Sequence, residues 1–215
     1  DALRTAMLAE ETRGVHGPQR GPVSITQVTE KGTIHSLIEI RAIADVTHEF
    51  GSMLHLDGAR FCNALVALGC TAAEMTWKAG VDTVSFGGTK NGLMGVEACV
   101  IFDPKLAWEF ELRRKRGGHL YSKHRYLSAQ MKAYLTDDLW RGMAASANAS
   151  CARLAEGLRA HNAAELLYDP QANIIFFDLP RREHQRLLAA GAVYYTSGGD
   201  LETGDPDAPL TGRLV

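Results

Sequence analysis

No run of apolar residues in this 215-residue chain approaches the ~20 that a membrane-spanning helix needs, and the opening DALRTAMLAEETRG has no signal-peptide pattern. Charge of neither sign dominates: 23 lysines and arginines stand against 25 acidic residues, a net charge of -2. That balance gives no electrostatic reason to expect a nucleic acid or an anionic membrane as partner. The four cysteines, Cys62, Cys70, Cys99 and Cys151, form no C-x-x-C pair and have no histidine at zinc-finger spacing. Free, mostly buried thiols in a reducing compartment are expected, so the chain reads as cytoplasmic. His119 and His124 do not fit the H-E-x-x-H spacing of a zinc protease, and no G-x-S-x-G elbow supports a serine hydrolase. No metal is expected. What remains is a folded, soluble composition, 46% hydrophobic and 22% charged, long enough for one core or for one core plus a smaller lobe.

Short apolar runs alternate with amphipathic stretches. PVSITQ (22–27) reads as a strand, and a Ser36/Glu39 capping box opens a helix that Gly51 ends. SMLHL (52–56) is a second strand. A helix over RFCNALVAL closes at Gly69, and another opens on a Thr71/Glu74 capping box and runs to Gly80. DTVSF (82–86) is a third strand and EACVIF (97–102) a fourth. This order predicts an α/β fold with a mainly parallel sheet and helices on both faces. Asp103-Pro104 predicts a further helix start, followed by helical tracts over 122–143 and 146–161, a NIIFFDL strand (173–179), a helix over 181–190 and an apolar AVYY. The second half therefore reads as an α+β lobe. Residues 196–212, rich in Gly, Pro and Asp, predict a mobile surface loop, and the chain closes on what reads as the start of a strand.

In sheets of this kind ligands sit beyond the carboxyl ends of the strands, which singles out Asp57 to Arg60 and Gly87 to Asn91. Alternation places Met53, His55 and Asp57 on one face and Leu54 and Leu56 on the other. A carboxylate at that edge needs a cation or several donors, and Arg60 or a bound group would serve. Lys90 follows Gly87-Gly88-Thr89, where glycines admit a close ligand and a threonine hydroxyl beside backbone amides suits a phosphate. A lysine partly desolvated there would be pushed toward the neutral, nucleophilic amine. The pattern is not a P-loop. Aspartate at one strand end and lysine after the next long strand together meet the demands of pyridoxal phosphate (PLP), which needs a carboxylate for its ring nitrogen, an amine for its aldehyde and donors for its phosphate. His55 shares the face of Asp57, and a structural hydrogen bond is the expectation for it. His16 lies in a turn-rich segment with no chemistry implied.

HLDGARFCNALVALGC (55–70) and VDTVSFGGTKNG (81–92) resemble the two signature blocks of the low-specificity L-threonine aldolases, in the β-eliminating lyase group of fold-type-I PLP enzymes. VSITQVTEKGTIHS (23–36), RRKRGGHLYSKHRYLSAQ (113–130) and the terminal RLV (213–215) are similar to that family too, so the resemblance covers nearly the whole chain. It implies an incomplete PLP-binding large domain over 1–125, then a linking helix and small C-terminal domain over 126–215. By the same resemblance Lys90 would hold PLP covalently and Asp57 would pair with the ring nitrogen. Arg60 would lie near the phenolic oxygen and the substrate carboxylate, and Arg213 would bind that carboxylate. Thr89 and Gly88 would lie by the phosphate, and Gln27 near the ring. The implied reaction is retro-aldol cleavage of L-threonine and related β-hydroxy-α-amino acids to glycine and an aldehyde, in a homo-oligomer.

The family has a longer segment ahead of the position of Asp1, supplying a phosphate-cradling Gly-Thr or Gly-Ser and two histidines, and a final helix beyond the position of Val215. If the 215 residues act alone, weak or absent PLP binding and aldolase activity are expected. The alternatives are another fold-type-I lyase, such as one catalysing β-elimination, and an inactive truncated homologue. The basic cluster Arg113, Arg114, Lys115, Arg116 and Lys123 falls where the family directs cations toward a neighbouring subunit's phosphate, and a solvated helix end is the plain alternative.

Overall fold

The structure, a computed structural model, describes residues 1–9 and 14–215. After a helix α1 (Ala2–Ala9), four strands build the first sheet: β1 (Val23–Thr26), β2 (Leu54–Gly58), β3 (Thr83–Gly87) and β4 (Glu97–Ile101), in that order across the sheet. The first three are parallel and β4 returns antiparallel to β3. The chain is thus α/β with a mainly parallel sheet, as the alternation predicts.

Local chemistry sets the helices between them. In α2 (Leu37–Glu49) the Ser36 hydroxyl accepts the Glu39 N–H while the Glu39 carboxylate accepts the Ser36 N–H. The same reciprocal pair, Thr71 and Glu74, opens α4 (Ala72–Met75), and Gly69 closes α3 (Phe61–Leu68) in the left-handed conformation. The helix expected to run unbroken to Ala79 is interrupted at Thr76 and resumes as a single 3-10 turn before Gly80. Strand β2 lies two residues beyond the expected 52–56, which brings Asp57 inside it.

The burial of β2 alternates as the period of a strand demands: Leu54 and Leu56 are fully buried, His55 and Asp57 half-buried. Leu54, Leu56, Ile25 and Val84 join Ile40 and Ala44 of α2 and Phe61, Ala64 and Leu65 of α3 in one core. Cover by these helices falls on that apolar face. The opposite face carries Ser24, His55, Asp57 and Ser85, exposed or half-buried among the described residues. Truncating Leu56 leaves a cavity at the centre of this core, and Leu56→Ala is expected to lower stability by about 2–5 kcal/mol, read as a fall in the urea midpoint at unchanged slope.

Helix α5 (Ala107–Arg116) buries none of its residues. Arg113 and Arg116 bond to Glu109 and Arg114 to Glu111 within it, the pattern of a solvated helix. The expected tracts 122–143 and 146–161 are instead α6 (Arg125–Leu135) and α7 (Leu139–Arg159). The break falls at Asp137 and Asp138, both with positive φ, a conformation that aspartate tolerates better than most side chains.

A second, wholly antiparallel sheet holds β5 (Glu165–Leu166), β6 (Ile175–Pro180), β7 (Tyr195–Ser197) and β8 (Pro209–Leu214) in the order β5-β6-β8-β7, with α8 (Arg181–Ala189) between β6 and β7. The segment expected to be a mobile loop over 196–212 is therefore strand at both ends. Its middle wraps the buried Arg181, whose guanidinium donates to the carbonyls of Asp200 and Asp205. His184, fully buried, bonds to the Tyr194 hydroxyl and the Leu210 carbonyl, each at 2.8 Å.

Candidate active site

Two turns meet at the carboxyl ends of β2 and β3. The first is Asp57-Gly58-Ala59-Arg60, in which the Asp57 Oδ1 accepts the Ala59 N–H at 3.0 Å. The second is Gly87-Gly88-Thr89-Lys90-Asn91. They touch backbone to backbone: a Cβ on Gly87 would lie 2.6 Å from the Ala59 carbonyl oxygen, and one on Gly88 would strike Leu93 and the Val96 carbonyl. Glycine at 87 lets the Asp57 and Lys90 turns pack together, and glycine at 88 lets the Lys90 turn fold back against Leu93 and Val96.

The polar face behind them is wired across three strands. His55 bonds through Nδ1 to the Ser24 hydroxyl and through Nε2 to the Ser85 hydroxyl, each at 2.8 Å. This is the structural role expected of it. Asp57 stands two residues further along the same face, opposite Ser85 in register.

Arg60 is 7% exposed, yet its Nε has no hydrogen-bond partner among the described residues. Burial pulls this guanidinium below the usual arginine range; the Glu30 carboxylate opposes that shift and the like charge of Arg213 adds to it. Asp57 is not its ion-pair partner. Arg213 comes from β8 in the second sheet, half-buried, its guanidinium 6.0 Å from the centre of the Phe176 ring, with the Lys31 amine 5.7 Å from the same centre. The loop after β1 docks the two sheets here. The Gln171 amide N–H donates to the Gly32 carbonyl at 3.0 Å, and its side-chain oxygen accepts the Ile34 N–H at 2.6 Å. Arg60 and Arg213, which the resemblance sets at one carboxylate, are electrostatic neighbours.

Lys90 sits in a 3-10 turn over Thr89–Asn91 and is exposed, so the described residues do not form the desolvating lining expected around it. Its neighbour Asn91 is buried and donates to the Tyr134 hydroxyl at 2.5 Å and to the Trp140 carbonyl at 2.8 Å. Cys62 closes that cluster at 3.0 Å from the Tyr134 oxygen, and burial raises both the thiol and the phenol above their usual ranges. Cys62, Cys70 and Cys151 are buried free thiols; Cys99 is exposed.

Two assigned groups bond to other parts of the protein. Gln27 is fully buried and spends its amide on His35, accepting that residue's N–H at 2.9 Å and donating to its carbonyl at 2.8 Å. It lies on the face of Ile25, not on that of Asp57, because strand alternation sets it there. The amides of Gly88 and Thr89, expected beside a phosphate, are bonded to the carboxylate of Glu97 at 3.0 and 3.2 Å. The Thr89 hydroxyl is left exposed. Glu97 was not foreseen from the sequence; its signal is a lone carboxylate opening an apolar strand after a glycine-rich turn, where a hairpin register sets it opposite Gly87.

The β-eliminating lyase profile matches residues 1–180. The low specificity L-threonine aldolase of Pseudomonas sp. (strain NCIMB 10558) is 43% identical over 196 residues, 89% of this chain and 56% of that protein. The enzyme of the same name from Pseudomonas aeruginosa is 40% identical over 193 residues, 90% of this chain and 56% of that one. The chain spans little more than half the length of these curated relatives. Among solved structures the threonine aldolase of Leishmania major matches with a TM-score of 0.86 at 27% identity, over 99% of this chain and 59% of that one. With the profile covering most of its length, two adjoining strand-end turns in place and a buried arginine at their junction, the chain belongs to the β-eliminating lyase family.

Proposed function

We propose that this chain forms the cofactor-anchoring and carboxylate-binding part of a PLP-dependent lyase that cleaves L-threonine and related β-hydroxy-α-amino acids to glycine and an aldehyde, in a homo-oligomer. The observation that carries the reading is Arg60. An arginine only 7% exposed, whose Nε has no partner among the described residues and whose charge is influenced by Arg213 as well as by Glu30, is costly to bury unless a further anion joins it. An amino-acid carboxylate or the phenolic oxygen of PLP is such an anion, and planar guanidinium forks bind carboxylates in a defined orientation. The donor set fits the cofactor.

PLP, when bound, supplies an aldehyde for an amine and a cationic ring that withdraws electrons from the bond being broken. The residues do the rest. Lys90 offers an exposed amine beyond β3, and Asp57 a half-buried carboxylate that would keep a proton on the ring nitrogen. Arg60 and Arg213 would hold the substrate carboxylate and so fix which bond stands perpendicular to the ring. The identity of both curated relatives as threonine aldolases supports threonine over a substrate with a β-leaving group.

The test is product analysis of the purified native protein with PLP and L-threonine. Glycine and acetaldehyde in equal amounts are expected; a 2-oxo acid with ammonia would indicate β-elimination and contradict the reading. Arg60→Leu should raise KM for threonine about 10–100-fold, the loss of a charge-assisted hydrogen bond. An unchanged KM would remove Arg60 from the substrate site.

A further inference from the structure

Glu97 opens β4 opposite Gly87, and its side chain folds back over the turn between the two strands. One carboxylate oxygen takes the Gly88 N–H at 3.0 Å and the other the Thr89 N–H at 3.2 Å. Two successive amides converging on one anion form a nest of the sort glycine-rich turns use for phosphate, and a side chain of the same molecule fills this one. On the far side of Lys90 the turn is held again, by Asn91 bonded to Tyr134 and to the Trp140 carbonyl. Positions 88, 89 and 91 are therefore pinned, and the exposed side chain of Lys90 projects from a turn held on both sides of it. A lysine whose backbone is fixed from both sides loses little freedom when its amine is engaged, which is where positioning gains rate.

We propose that Glu97 is the positioning residue for Lys90: it occupies the anion-binding amides of the Gly88-Thr89 turn, excludes the cofactor phosphate from them and fixes the backbone that presents the ε-amine. This rests on the reading of Lys90 as the point of PLP attachment. The phosphate is then held by groups other than these two amides.

The experiment compares wild type, Glu97→Gln and Glu97→Ala in the native protein. Without cofactor, hydrogen exchange at the amides of residues 88 and 89 should quicken about tenfold or more in Glu97→Ala, with the rest of β3 still protected, and formate should slow it again by refilling the nest. Glu97→Gln keeps one acceptor oxygen and should protect one of the two amides. With PLP, the apparent dissociation constant, followed by absorption and by borohydride trapping, should rise about tenfold in Glu97→Ala and fall back on adding formate. Exchange and PLP affinity that are the same in all three proteins would overturn the proposal. So would a Glu97→Ala protein that binds PLP more tightly, because the freed amides would then be taking the phosphate. Wild type that traps no PLP on Lys90 would instead sink the functional reading, while the cofactor-free exchange still judges the clamp by itself.

Discussion

Replacing Lys90 by alanine is expected to remove all borohydride-reducible PLP from the protein, with the unfolding midpoint staying close to that of wild type. The side chain is exposed and makes no hydrogen bond or ion pair among the described residues, so little folding energy is lost with it. Surface changes of this kind usually move stability by less than ~0.5 kcal/mol. The turn itself is kept by Glu97, Asn91 and the two glycines, none of which depends on the amine. Peptide mapping of reduced wild type should find the pyridoxyl group on residue 90. Stoichiometric labelling of Lys90→Ala at another of the lysines would show that the attachment point is misplaced.

The second large effect is at Asp57. Its carboxylate does two things that a substitution separates: Oδ1 accepts the Ala59 N–H and so shapes the turn leading to Arg60, and the negative charge is available to whatever lies beyond the strand end. Asp57→Asn keeps an oxygen for the turn and removes the charge. A fixed charge aimed at a developing one in a transition state is worth about 10²–10³ in rate, so kcat should fall by that factor with the unfolding midpoint little changed. Equal kcat values in Asp57→Asn and wild type would leave the carboxylate with a role in the turn alone.

Much of this was readable from local chemistry. Capping boxes at Ser36/Glu39 and Thr71/Glu74 and stops at Gly51, Gly69 and Gly80 are settled within a few residues of chain, and each stands where the sequence predicts. The Asp57 and Lys90 turns were legible because the carboxyl end of a parallel strand is a place that topology marks in advance. What escaped depends on contacts between distant segments. Nothing local distinguishes the break at Thr136-Asp137-Asp138 from a polar helix face, and the expected break was placed further on. Gln27 belongs to the apolar row of Val23 and Ile25 by simple alternation, and its burial follows from that row. The loop over 198–208 is ordered by Arg181, a basic residue at a helix start whose partners are 19 and 24 residues away. Glu97 shows its purpose only once the antiparallel register of β4 is known.

Those long-range contacts also explain why the arginines matter more than their positions suggest. Arg60 follows β2 and Arg213 lies in the last strand of the second sheet, and the bonds of Gln171 to Gly32 and Ile34 link the two parts of the chain that carry them. A small tilt of the second sheet would separate the two guanidinium groups. If the two arginines share a substrate carboxylate, as proposed, that binding depends on how the sheets dock.

The account stands most directly on the ring nitrogen of bound PLP. Its protonation can be read by 15N NMR of labelled cofactor after borohydride has fixed it on Lys90. With the Asp57 carboxylate beside it, that nitrogen should stay protonated well above the pH at which free cofactor loses its proton, and Asp57→Asn should abolish the difference. A wild-type nitrogen that titrates like that of cofactor in solution would contradict the placing of Asp57 and Lys90 on one ring.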